Sequence, residues 1–198
     1  MAGLQSQARR MDALDRREQI LACATGLFES RPYDEVSMTD IAEAAGVARP
    51  LVHHYFGTKR EIFLAAVHRV ADLPPRALSE LKDVPPSESV EAIVEHFLSA
   101  LARHERLWVT MLSMTSSGGD DVRAILRESD ETTADTLADL LGFELSGQEL
   151  VTYHAATAAF GMFAREVARE WVVEGRLTRQ QCSDLLVATL RGALSVMG

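Results

Sequence analysis

Apolar residues recur every three or four positions along nearly the whole chain, and nowhere alternate as in a strand. Ile20, Leu21, Ala24, Leu27 and Phe28 share one face of a helix predicted from about Asp12 to Ser30, which Pro32 ends. A helix from Thr58 to about Asp72 stops at Pro74 and Pro75. Beyond a break at DVPPS (83–87), Val90, Ile93, Val94, Phe97, Leu98 and Leu101 mark a clear amphipathic helix. The next, from about His104 to Thr115, carries Leu107, Trp108, Met111, Leu112 and Met114. After an SSGGDD loop, Val122, Ile125, Leu126, Leu137, Leu140 and Leu141 lie on one or two helices that end at Gly142. Ser146 with Glu149 predicts a capped long helix to about Glu174, ended by Gly175; Thr178 with Gln181 opens a last one. The fold class is all-α, with about nine helices and no internal repeat.

Ser37 to Lys59 is the most specific stretch. Ser37 with Asp40 spaces a hydroxyl cap and a carboxylate as in a capping box. Ile41, Ala42 and Ala45 face inward, and Gly46 supplies the left-handed residue that ends a short helix. Val47 plugs the corner. A second short helix starts at Ala48 or Arg49, with Pro50 in its first turn, where a missing N–H costs nothing. Val52, Tyr55 and Phe56 form its buried stripe; Arg49, Pro50, His53 and His54 point outward, with Leu51 at the edge. Gly57 breaks it, and Thr58 with Glu61 caps the next. Lys59 then sits in a first helical turn, where the dipole disfavours a cation unless a phosphate lies nearby. Helix, tight turn and outward-facing second helix are the layout of a helix-turn-helix DNA reader.

Residues 16–64 resemble the N-terminal domain of the TetR family of transcriptional repressors. The resemblance rests on RREQILACATGLFESRPYDEVSMTDIAEAAGVARPLVHHYF followed by GTKREIF. It implies a domain over residues 12–60 that binds double-stranded DNA, after a flexible tail (1–11). A ligand-binding and dimerisation domain (61–198) would follow. DNA contacts fall on Ser37, Thr39, Arg49, Pro50, Leu51, His53, His54, Tyr55 and Lys59. His53 stands where the family usually has a phosphate-binding Tyr, Leu51 where it commonly has a small hydroxyl residue, and Thr39 where it often has Arg. Leu51 is left with apolar contact, most simply to a thymine methyl. The family also implies a homodimer on a near-palindromic operator, a small-molecule effector that releases it, and a cytoplasmic location.

A net charge of −9 looks wrong for a DNA binder until it is divided. Residues 1–60 carry eight basic and eight acidic side chains, so the whole excess lies in residues 61–198. An acidic body suppresses nonspecific DNA contact. Arg9 and Arg10 could reach an adjacent groove or lie on a solvated tail. Hydrophobic content is 47%, and no apolar run has membrane-spanning length. Cys23 and Cys182 read as separate buried thiols.

For an effector pocket the candidates are Phe97, His104, Trp108, Met111, Met114, His154, Phe160 and Trp171, because Met and aromatic walls adapt to apolar ligands. For a dimer interface they are Ala155, Ala159, Met162, Leu185, Ala188 and Gly192. The last two helices offer more apolar and small positions than one core stripe uses; the alternative is that all of them pack inside one subunit. No metal site or cofactor is expected. His53 and His54 diverge by about 100° on a helix. There is no GxSxG, HExxH or phosphate-cradling glycine loop. An adaptor and an enzyme are the competing classes. An adaptor has no use for Arg49, His53, His54 and Lys59 grouped around one helix, and an enzyme has no motif here to support it.

Overall fold

The structure, a computed structural model, describes residues 2–71, 81, 86–116 and 119–194. These hold nine α-helices and no strand. They are α1 (Ala2–Ser30), α2 (Met38–Ala44), α3 (Arg49–Phe56), α4 (Lys59–Ala71), α5 (Pro86–Arg103), α6 (Glu105–Ser116), α7 (Asp120–Leu141), α8 (Gly147–Val172) and α9 (Arg179–Leu194). A 3-10 turn, Tyr33–Glu35, follows α1. The chain divides into two compact units, Met1–Arg69 and Val70–Gly198.

The first unit closes on one core. Ile20, Ala24 and Phe28 of α1 are buried with Ile41 and Ala42 of α2, Val52 and Phe56 of α3, and Ile62, Phe63 and Val67 of α4. Phe63 takes the ring of Phe28 at 5.2 Å and that of Tyr33 at 4.8 Å, both edge to face. Because α4 buries four side chains here (Ala66 is the fourth), the unit extends to Arg69 rather than ending at residue 60. α1 also runs through residues 2–11, where a tail was expected; no proline interrupts that stretch. The stops expected at Pro74, Pro75 and 83–85 lie outside the described residues.

The second unit is built from α5 to α9. Val90, Val94 and Leu98 of α5 meet Ala164 and Val167 of α8 and Cys182, Leu186 and Leu190 of α9. Residues 120–141 form one helix, ended by Gly142 at φ 69°. α8 ends at Val172 with Val173 as its cap, short of the expected Glu174, and Gly175 (φ 64°) turns the chain two residues later. Thr178 and Gln181 form the expected reciprocal cap: each backbone N–H meets the other's side chain, at 2.9 and 3.2 Å. The cap expected at Ser146 does not form. Gly147 takes φ 53°, which turns the chain so that the Glu149 N–H bonds the Ser146 carbonyl instead of its hydroxyl.

Candidate nucleic-acid interface

The helix-turn-helix is assembled by its caps. The Ser37 N–H donates to Asp40 Oδ2 at 2.7 Å, and the Asp40 N–H donates to Ser37 Oγ at 3.1 Å. The Ser37 hydroxyl, which donates to Asp40 Oδ2 at 2.5 Å, the Ser37 N–H and Arg31 Nη2 at 3.4 Å hold the Asp40 carboxyl below its ordinary range. Gly46 takes φ 63°, as the turn requires. From α1, Gln19 Nε2 donates to the Ala45 carbonyl at 3.0 Å, satisfying an acceptor that the end of α2 leaves open.

α3 is anchored by Val52 (0% exposed) and Phe56 (6%). Over the Phe56 ring lies the Arg17 guanidinium of α1, at 4.7 Å. The opposite face presents Arg49, Pro50, His53 and His54 to solvent, with Leu51 and Tyr55 half-buried. Tyr55, placed both in the buried stripe and among the DNA contacts from sequence, packs its ring edge-on against His54 at 5.3 Å. Ser37 and Thr39 are also exposed.

Several of these groups already have partners within the chain. His53 Nδ1 donates to the Gly57 carbonyl at 2.7 Å, while Nε2 faces Arg49 Nε at 3.4 Å. A phosphate at His53 would have to replace Arg49. Lys59 Nζ sits 4.3 Å from the centre of the Tyr33 ring and donates to the Asp34 carbonyl at 3.4 Å. The 3-10 turn is therefore a resting place for this cation, and sequence reasoning gave it no role. Its only signal was an aromatic directly after Pro32.

Gly57 joins α3 to α4 at φ 67°, ψ −90°. The Thr58 N–H donates to Glu61 Oε2 at 2.7 Å, and the Glu61 N–H to Thr58 Oγ1 at 3.2 Å. The Thr58 hydroxyl, which donates to Glu61 Oε2 at 2.7 Å, and then the Thr58 N–H keep the Glu61 carboxyl below its usual value. Asp40 and Glu61 are thus engaged at helix starts.

In the second unit lies a cavity of about 110 Å³. Of the expected pocket residues, Phe97, Trp108 and Phe160 line it. His104, Met111, Met114, His154 and Trp171 do not: Met111 is core at 1% exposure, Trp171 packs on the α5–α8–α9 core, and His154 Nε2 faces Asp135 at 3.3 Å. The wall also includes Asp130, Tyr153 and Arg165, which sequence reasoning missed. The signal was a charge on an apolar stripe, since Asp130 follows Leu126 by four and precedes Ala134 by four. The dimer candidates Ala155, Ala159, Met162, Leu185, Ala188 and Gly192 are all exposed, Met162 at 64% and Leu185 at 43%.

Among the described residues no cluster of three metal-ligating side chains exists, and no helix is long and apolar enough to cross a membrane.

Residues 20–66 match the family described as bacterial regulatory proteins, tetR family. Over 179 residues the chain is 27% identical to the HTH-type transcriptional activator FasR of Mycolicibacterium smegmatis, spanning 88% of this chain and 80% of that one. It is 38% identical over 71 residues to the HTH-type transcriptional regulator EthR of Mycobacterium tuberculosis, spanning 36% of this chain and 33% of that one. Among solved structures, a tetR-family regulator from Streptomyces coelicolor superposes with a TM-score of 0.72 at 22% identity, over 92% of this chain and 82% of that one. Thermus thermophilus FadR, a TetR-family repressor crystallised with lauroyl-CoA, gives 0.66 at 21% identity, over 90% and 93%. Residues 20–66 thus belong to the tetR family of bacterial regulatory proteins, and over most of its length the chain is similar to TetR-family DNA-binding transcriptional regulators.

Proposed function

We propose that the protein is a homodimeric, cytoplasmic repressor, released from a near-palindromic operator by a small molecule bound in the cavity of the second unit. The observation that carries the reading is α3, anchored by Val52 and Phe56, with Arg49, Pro50, His53 and His54 exposed on its other face. Arg49 and His54 reach phosphates or base edges, and Ser37, Thr39 and Tyr55 contact the backbone beside them. Leu51 makes apolar contact, and Lys59 moves from Tyr33 to a phosphate, a better partner than an aromatic ring.

Dimerisation places two such helices one DNA turn apart, roughly 34–36 Å. The exposed faces of α8 and α9 support it: large apolar groups such as Val151 (60% exposed), Met162 and Leu185 lie open, as side chains awaiting a partner surface do. The cavity supports the effector reading, as does the lauroyl-CoA bound to the structural neighbour FadR. α4 carries the chain from one unit into the other. An effector that favours the off-DNA state by a few kcal/mol is enough to relieve repression.

FasR, an activator by name, favours one second reading, in which the bound dimer recruits transcription instead of blocking it. A reporter driven by the DNA upstream of the protein's own gene separates them. A repressor lowers output when supplied in trans, and Arg49→Ala restores it. Output that rises with the wild-type protein and falls with the variant identifies an activator. Output indifferent to both contradicts DNA-based regulation at this site.

A further inference from the structure

The cavity wall holds two charged side chains among otherwise apolar or neutral residues, and they are turned on each other. Arg165 Nη1 donates to Asp130 Oδ1 at 2.7 Å and Nη2 to Oδ2 at 2.8 Å. Their side chains are 15% and 14% exposed. This is the bidentate fork, in which both carboxylate oxygens and both terminal nitrogens are engaged.

The fold makes room for it. A Cβ on Gly161 of α8 would lie 2.5 Å from Asp130 Oδ1 and 2.9 Å from its Cγ, so glycine at that position lets the carboxylate lie against the helix. The Ser129, Tyr153 and Thr157 hydroxyls of the wall are similarly engaged, Thr157 Oγ1 with the Tyr153 carbonyl at 3.0 Å. Ser129 Oγ donates to the Ala71 carbonyl, and the Tyr153 hydroxyl to the Ala134 carbonyl, each at 2.8 Å. Trp108 differs. It is 4% exposed, and its Nε1–H has no acceptor.

We infer that the cavity admits the uncharged, apolar part of a ligand carrying a hydrogen-bond acceptor for Trp108, and that the Asp130–Arg165 pair makes it reject charged groups of either sign. An anionic head would have to take Arg165 from Asp130, and a cationic head Asp130 from Arg165. Either exchange strands a buried charge, which low-dielectric surroundings penalise heavily. A neutral chain leaves the pair intact. The acceptor is a hydroxyl, ester or amide oxygen, which satisfies a buried donor that otherwise has none.

This inference rests on the cavity being the effector site, and its test separates the two. Isothermal titration calorimetry at about pH 7 compares n-decanol, decanoate and decylammonium below micellar concentrations. Decanol should bind at least tenfold more tightly than either ion, about 1.4 kcal/mol. Equal or tighter decanoate, or equal or tighter decylammonium, overturns the charge rule while leaving the cavity as a ligand site. No binding by any of the three overturns both.

Asp130→Asn, checked for folding by circular dichroism, releases Arg165 and should improve decanoate relative to decanol by tenfold or more. An unchanged ratio in the folded variant overturns the role of the pair. If the variant does not fold, the ranking on the wild-type protein still decides. Trp108→Phe should weaken decanol roughly fivefold. Unchanged decanol binding removes the donor role from Trp108.

Discussion

Replacing Gly57 with alanine tests how the recognition helix is tied to α4. Two separate costs follow from the geometry. The backbone sits at φ 67°, ψ −90°, where a Cβ is strained by about 1–2 kcal/mol. The new Cβ would also lie 2.4 Å from Glu61 Oε2, so the carboxylate must leave the Thr58 N–H. Losing that cap costs about 1 kcal/mol more. The sum is about 2–3 kcal/mol, a large fraction of a small domain's stability.

The assay is hydrogen exchange of amides in residues 49–67, which reports opening of this unit alone. In a Glu61→Ala background the carboxylate is already gone, and Gly57→Ala should then cost only the backbone part. A coupling of about 1 kcal/mol between the two positions is the expected result. A Gly57→Ala cost below about 0.5 kcal/mol, or one unchanged without Glu61, refutes the reasoning.

Three further outcomes follow from named contacts. Lys59→Ala should weaken binding to all DNA sequences similarly and flatten the dependence of log K on log salt by about one unit; a loss confined to one operator contradicts a phosphate role. Tyr153 is 1% exposed, and burial, with Asp135 adding to it, pushes its hydroxyl up to about 12. Its raised value means stability is intact below pH 10 and declines as pH rises through about 12, by up to about 3 kcal/mol; Tyr153→Phe should remove that part of the decline in alkaline urea melts. Cys182 is fully buried, its thiol donates to the Val167 carbonyl at 3.6 Å, and burial raises its value, so a thiol reagent should label it only on unfolding, whereas half-buried Cys23 labels in the native protein.

The first unit was legible because its signals are local. Ser37 with Asp40 and Thr58 with Glu61 each lie three residues apart, and that spacing alone brings the cap partners together. Gly46 and Gly57 mark turns whose positive φ few other residues accept. Ser146 with Glu149 has the same spacing and fails, because the intervening Gly147 turns left-handed and redirects the hydroxyl.

The cavity was less legible. Periodicity says that Met111 and Trp108 face inward, but not that one fills core while the other borders space. That depends on how α5 to α9 cross, which helical spacing does not encode. Asp130 stands out only as a charge on an apolar stripe, and its partner Arg165 is not revealed until the other helix is in place. Lys59 is half-buried and His53 exposed, and their resting partners come from the 3-10 turn and from Gly57, which helical spacing does not reveal.

The central claim is that α3 reads DNA as one of a pair. The most direct measurement is titration of the purified protein onto fragments from upstream of its own gene, at two salt concentrations and with scrambled competitor. The account predicts saturable, competitor-resistant binding of two chains per site, abolished by Arg49→Ala with His54→Ala and retained when Met162 alone is changed to leucine. Binding that merely follows salt and charge, or that survives loss of both α3 side chains, contradicts it.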